Sequence, residues 1–323
     1  MYLSRSASLN SYAAVAMGLG LDPRAMLATV GLPFSVLANP DLKIPTRAMI
    51  ELLEMSAQEA RIEDFGLRMA DARALNYLGP IGLAFREQPD VRRLIYALRM
   101  FVSAQVDGLE IMLEERDQLA VLSIAYHVPG AGASRQATED ALAIIARLLK
   151  RGLGPGWRPD MVLFRSPKPR RQGLHLRLFG QLPAFAQEHY ALVLTQADLA
   201  APIADTDPAT ADAVVRMVAA AVGVGKSGAT EEVRSLIHQL LPTGNCTAEH
   251  IAAILGVDRR TIHRHLSREG TSFMSILDGM RLDKVHTFHS EGRSVHTDVA
   301  GQLGFSCLSA YSRWRKHKGV KLD

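Results

Sequence analysis

Two stretches near the C-terminal end of this 323-residue chain repeat one another, and the duplication constrains the fold more than any other feature. His250-Ile251-Ala252 and Leu255-Gly256-Val257-Asp258 align with Asp298-Val299-Ala300 and Leu303-Gly304-Phe305-Ser306 at an offset of 48. Past the turn the offset becomes 49, pairing Ile262 with Tyr311, Arg264 with Arg313 and Gly270 with Gly319. Each copy has the pattern of a helix-turn-helix. A short helix (Ala248–Leu255; Val295–Leu303) turns its apolar residues to a partner, and a small Ala permits close approach. Gly256 or Gly304 then allows the chain to reverse at positive φ. Val257 or Phe305 pins the turn, and Asp258 or Ser306 caps the helix that follows.

That following helix carries the chemistry. In the first copy it reads Arg259-Arg260-Thr261-Ile262-His263-Arg264-His265-Leu266. Ile262 and Leu266, four residues apart, face a core, which leaves Arg259, Arg260, His263 and Arg264 for the outer face. Arginine reads guanine through O6 and N7 and is also the best phosphate clamp, so this face suits a DNA major groove. In the second copy, Cys307 to His317, the pattern offers Leu308, Ser309, Ser312 and Arg313 to a groove. Arg315, Lys316 and Lys318 suit phosphate, and Tyr311 and Trp314 should pack inward. This second helix is the less polar of the two, so the first is expected to supply more of the base readout. Between them, Phe273 to Phe288 reads as a long helix able to hold the two readers about one DNA turn apart, ~34 Å.

Charge follows the same division. From Arg259 to Asp323 there are twelve Lys/Arg against six Asp/Glu, whereas the rest of the chain has 25 against 27. The net excess of +4 therefore sits at one end, as expected of a domain that meets phosphate.

The remainder reads as an α+β domain. Leu19–Val30, Pro45–Glu59 and Asp90–Val106 carry helical apolar spacing. Leu109–Glu114 and Leu119–Ile124 read as strands of a hairpin around the polar turn Glu115–Gln118. Thr138–Leu153 is helical, Met161–Phe164 and Leu174–Leu178 are strand-like, and Pro208–Val222 is helical again. The expected organisation is thus residues 1–222 as an α+β domain, 223–229 as a linker, and 230–323 as an all-α domain with two helix-turn-helix units. Ala220 to Ser227 matches a loose phosphate-loop pattern, but that chemistry needs a strand before the loop and a helix N-terminus after it. Ala213–Val218 belongs to a helical stretch, so the glycine-rich segment reads as a flexible linker.

Other chemistries find no support. Cys246 and Cys307 lack metal-ligand spacing and suggest a reducing compartment. His286-x-x-His289 has no carboxylate or thiolate at ligand spacing, so no metal site is read. No nucleophile elbow, no catalytic carboxylate pair and no zinc-hydrolase motif occurs; no catalytic residue and no cofactor are expected, and the chain does not read as an enzyme. No apolar run reaches the ~18 residues of a membrane span and no secretory signal is read, so a cytoplasmic location with no membrane partner is expected. Arg165, Lys168, Arg170 and Arg171 read as a solvated loop, with a grip on an acidic effector as the alternative. His127, Trp157 and His175 stay open.

The string Gly256-Val257-Asp258-Arg259-Arg260-Thr261-Ile262-His263-Arg264-His265-Leu266 resembles the AraC/XylS family of bacterial regulators. So do Glu269-Gly270-Thr271-Ser272-Phe273, Arg281, Leu303-Gly304-Phe305-Ser306 and Ser309-Ala310-Tyr311-Ser312-Arg313-Trp314. Farther upstream, Leu78-Gly79-Pro80-Ile81-Gly82-Leu83-Ala84, Trp157–Phe164 and Leu178–Phe185 resemble the arabinose-binding-like sensor domain found in part of that family. The resemblance implies a transcriptional regulator that binds double-stranded promoter DNA as a homodimer, with RNA polymerase as a further partner if it activates. It also implies a small-molecule effector on the N-terminal domain, of unknown identity and with no binding residues assigned. Two alternatives stand beside it: a constitutive DNA binder whose N-terminal domain only dimerises, and a P-loop NTPase fused to a DNA-binding tail.

Overall fold

The computed structural model of the chain describes residues 2–203, 208–222, 229–241, 246–254, 259–290, 297–305 and 307–318. They form two compact units, Met1–Val222 and Gly223–Asp323. The first mixes helices with small sheets, and the described regular elements of the second are all helices.

In the first unit, β1 (Leu3–Arg5) pairs antiparallel with β2 (Lys43–Pro45). Beside them lie α1 (Tyr12–Gly18), α2 (Pro23–Thr29), α3 (Thr46–Glu59) and α4 (Phe65–Ala72), followed by α5 (Pro80–Arg86) and α6 (Val91–Gln105). The hairpin β3 (Leu109–Arg116) and β4 (Leu119–Tyr126) leads into α7 (Arg135–Leu153) and β5 (Met161–Leu163). Then come α8 (Gly173–Phe179), β6 (Tyr190–Thr195), α9 (Gln196–Ala200) and α10 (Pro208–Val222). The larger sheet is antiparallel, in the order β3-β4-β6-β5. Helix α7 packs between this sheet and α3–α4. It crosses α4 so closely that a Cβ on Gly66 would lie 1.9 Å from the Gln136 carbonyl oxygen, and that crossing therefore requires glycine.

Local differences from the sequence reading have identifiable causes. Leu174–Leu178 alternates in the manner of a strand but is helical: the buried residues are His175, Leu178 and Phe179, at helical spacing, and Leu176 is exposed. Leu19–Val30 is helical only from Pro23, because Gly20 turns at φ +78° and Asp22 caps the new helix by accepting from Arg24 N–H at 2.9 Å. The hairpin turn is shorter than its polar run suggests, with Arg116 facing Leu119 across Asp117-Gln118. Strand β6 has no counterpart in the sequence reading. It lies between two strands, and Ala191–Leu194 are all buried, so it carries a continuous apolar run and no alternation.

The first unit buries several charged groups. Adjacent residues Glu139 and Asp140 of α7 enter different polar clusters. Glu139 accepts from Arg135 Nε at 2.9 Å and Ser166 Oγ at 2.8 Å, and burial pushes its carboxyl up to about 7. Asp140 accepts from Arg73 Nη1 at 2.9 Å. The three residues left open by the sequence also find places. His175 lies fully buried against Phe164 and Phe185, with neither ring nitrogen partnered among the described residues, and burial lowers it to about 4. His127 Nε2 meets Glu110 at 2.9 Å, and Trp157 Nε1 donates to Asp198 at 2.9 Å. Arg165, Lys168, Arg170 and Arg171 are exposed.

The second unit comprises α11 (Ala229–Leu240), α12 (Ala248–Ile254), α13 (Arg259–Arg268), α14 (Phe273–Ser290), α15 (Thr297–Gln302) and α16 (Leu308–His317). The anticipated linker residues 223–228 lie outside the described residues, and Ala229 begins α11. No helix among the described residues is long and apolar enough to cross a membrane.

Candidate nucleic-acid interface

Two apolar clusters position the two halves of the second unit. The first gathers Val233, Leu236, Ile237, Leu240 and Leu241 from α11 and its end. To these it adds Ile251 and Ala252 from α12, Ile262 and Leu266 from α13, and Ile276, Leu277 and Met280 from α14. The second is small: Val285, Ala300, Leu303 and Tyr311 are buried, with Phe288, Phe305 and Trp314 packed against them. Helix α14 serves both clusters, because Val285 and Phe288 lie roughly a quarter-turn round from Ile276, Leu277 and Met280. Thr247 caps α12 through His250 N–H at 3.1 Å, and Ser272 caps α14 through Ser275 N–H at 3.2 Å.

On α13, burial of Ile262 and Leu266 fixes the helix's rotation, so Arg260, His263 and Arg264 face outward and are exposed. Arg259 is exposed as well, but its Nη1 pairs with Glu249 of α12 at 2.7 Å, which occupies it in the free chain. The helix ends at Gly270, φ +74°, where Thr271 N–H returns to the Leu266 carbonyl at 3.0 Å. Thr230 N–H bonds to Glu269 Oε2 at 2.8 Å and ties this end to α11.

On α16, Tyr311 turns inward, while Leu308, Ser309, Ser312, Arg313 and Lys316 are exposed and Arg315 is half-buried. Arg313 Nε donates to the Ser309 carbonyl at 3.3 Å. Lys318 forms a 2.6 Å ion pair with Asp278 of α14. The same carboxylate accepts from Trp314 Nε1 at 2.7 Å, so Asp278 holds α16 at two points.

Arg281 joins the two halves. Its Nε donates to the Leu303 carbonyl at 3.0 Å, its Nη2 lies 3.5 Å from the Gly304 oxygen, and its guanidinium sits 4.0 Å above the Phe305 ring. Gly304 adopts φ +70°, and a Cβ there would stand 2.5 Å from the Leu241 carbonyl oxygen. The second turn is therefore held from α11 and α14 together. Leu255–Asp258, Ser306 and Gly319, which carry the first turn, one cap and one repeat position, lie outside the described residues. So do the side chains of His286 and His289; among the described residues no cluster of three or more His, Cys, Asp or Glu could hold a metal. Cys246 is a poor nucleophile, because burial pushes its thiol up to about 11.

Sequence reasoning assigned no role to Asp278, α11 or the close approach at Gly304. Asp278 and Arg281, three apart on a helix between two aromatic-rich segments, are the signal that marks a polar dock.

The arabinose-binding N-terminal domain of AraC transcription regulators matches residues 20–203, more than half of the chain. The chain belongs to that family. A relative in Mycobacterium tuberculosis, the HTH-type transcriptional regulator VirS, is 25% identical over 313 residues, covering 96% of this chain and 92% of its own length. The ornithine utilization regulator of Pseudomonas aeruginosa is 25% identical over 259 residues, covering 79% and 76%. The crystal structure of the transcriptional regulator CdpR from Pseudomonas aeruginosa aligns over 87% of this chain and 97% of its own, with 19% identity and a TM-score of 0.40. The family and these relatives are transcriptional regulators, not enzymes.

Proposed function

We propose that this AraC-family chain is a sequence-specific DNA-binding regulator. Its α12–α13 and α15–α16 pairs act as two helix-turn-helix units on double-stranded promoter DNA. The observation that carries this reading is the outward face of α13, where Arg260, His263 and Arg264 are exposed on a helix whose opposite face, Ile262 and Leu266, is locked into a core. On α16, Leu308, Ser309, Ser312 and Arg313 form the corresponding face, with Lys316 and the half-buried Arg315 toward phosphate. Arg259 joins once DNA phosphate competes for its pairing with Glu249. The first unit binds a small effector and carries the homodimer contact. Effector binding shifts promoter occupancy by favouring one state of the chain over another. RNA polymerase is a partner if regulation is positive.

The test is Arg264→Ala, measured by fluorescence anisotropy on an operator selected from random DNA. The expected loss is about 1–3 kcal/mol, with relaxed preference at one base position. Unchanged affinity removes Arg264 from the interface. The phosphate-loop alternative has a specific observation against it: the residues before Gly223 belong to helix α10, where that motif needs a strand.

A further inference from the structure

A partly open pocket with about 70 Å3 of interior space lies within residues 8–148 of the first unit. Its walls come from α3, α5, α6, α7 and the hairpin, and most are apolar, with Phe85, Phe101, Val102, Ile144 and Leu148 among them. Six lining residues carry polar side chains: Ser8, Arg73, Tyr77, Gln105, Tyr126 and Asp140.

These six form one cluster. Gln105 Nε2 lies 3.4 Å from Ser8 Oγ, and the Ser8 carbonyl accepts from Arg73 Nη2 at 2.7 Å. Arg73 Nη1 pairs with Asp140 Oδ2 at 2.9 Å, and the guanidinium sits 4.8 Å over the Tyr77 ring. Tyr126 completes the cluster; burial, with the charge of Asp140 beside it, keeps its hydroxyl protonated.

Within the cluster the Arg73 donors are satisfied, whereas one carboxylate oxygen of Asp140 is not. All three Arg73 nitrogens are engaged, the third through Nε to the Asn10 carbonyl at 3.1 Å. Asp140 Oδ1, in contrast, is buried with no hydrogen-bond partner among the described residues. A ligand is therefore asked to donate one hydrogen bond. A carboxylate head would instead meet the Asp140 carboxylate, and an ammonium would enter beside an ion pair that is already neutral. A sugar would bring several hydroxyls into walls with few polar groups to receive them, each left unpaired at a desolvation cost.

We propose that this cavity is the effector site, and that its ligand is an uncharged, largely apolar molecule that donates a single hydroxyl or N–H to Asp140. This rests on the effector-controlled reading above and deepens it. A route outward is also present, since Ile81 and Phe85 of α5 line the cavity and α10, the last helix of the unit, packs against α5.

The probe is N-phenyl-1-naphthylamine, apolar and neutral with one N–H, titrated into the full chain by fluorescence. A saturable one-to-one signal is expected, displaced by 1-decanol, displaced at least tenfold more weakly by decanoate at about pH 8, and not displaced by L-arabinose. Ala141→Phe, which fills the cavity from α7, should weaken probe binding at least tenfold. Val102→Phe, which fills it from α6, serves if the first variant loses its circular dichroism spectrum. Unchanged binding in a folded filling variant, or displacement by decanoate or arabinose as strong as by decanol, overturns the proposal. Operator affinity measured with and without decanol separates the two readings. Binding without a change in affinity upholds the cavity and sinks effector control through it. No probe binding by a chain that still binds DNA sinks the cavity and leaves effector control to another site.

Discussion

The two units treat charge in opposite ways. The first takes it inside: Arg73, Asp140, Glu139 and Arg99 are buried, and several of their polar atoms lack partners among the described residues. The second keeps charge on its outer helical faces, and among its described residues only Arg281 is a buried charged side chain. Buried ionic groups are costly to desolvate and weak as a source of stability, and of these four Arg73 and Asp140 line the pocket of the first unit. Exposed arginines on a helix pinned from behind are cheap to maintain, and they suit a large polyanion met from outside.

Breaking this contrast at its strongest point should have the largest effect. Asp140→Ala leaves Arg73 buried with its charge uncompensated, and the expected cost is about 3–5 kcal/mol, read as a lower melting temperature of the first unit by calorimetry. A loss below about 1 kcal/mol would mean that the pair is not buried in solution. Next comes Gly304→Ala, which places a methyl group against the Leu241 carbonyl at positive φ. Roughly 1–3 kcal/mol of second-unit stability should be lost. An unaffected melting curve would show that the second turn is not held against α11.

The pH response sharpens the comparison further. Glu139 has its folded value raised to about 7, so the stability it lends is full below the unfolded value near 4.5 and is lost as pH rises through about 7. His175 has its folded value lowered to about 4, so the stability it lends is full above the unfolded value near 6.5 and is lost as pH falls towards about 4. The two slopes oppose one another across the same window. Relative to the unmodified chain, Glu139→Gln should lose stability on acidification from about pH 6.5 to 4.5, and His175→Phe should gain it. Melting curves across that window check the signs, and changes in the same direction would refute the assignment. The smallest effect belongs to the surface: Arg264→Ala should leave stability within about 0.5 kcal/mol while weakening DNA binding.

How far the sequence reveals this molecule depends on where each residue's constraint lies. Ile262, Leu266 and Tyr311 could be placed from spacing alone, because a helix's buried face is a local property. The same holds for the β3–β4 hairpin and for α10. Strand β6 is hidden because a strand buried on both faces has no alternation, and α8 misleads because a helix only two turns long can imitate a strand. Arg73 and Asp140 are 67 residues apart. Nothing local announces that they meet, and the cavity they line is a product of tertiary packing alone. Asp278 and Arg281 are intermediate, visible as a pair but silent about the carbonyls and rings they reach.

Helix α14 belongs to two cores at once, and this has a kinetic side. If the helix were broken between Met280 and Val285, either half of the second unit could open while the other stayed closed. A continuous helix, with Arg281 bonded to the far turn at its midpoint, couples those openings. Backbone amides from Leu277 to Val285 should then exchange with solvent only when the whole unit opens, as one cooperative block. A chain of short helices joined by turns would in this way fluctuate as a single body.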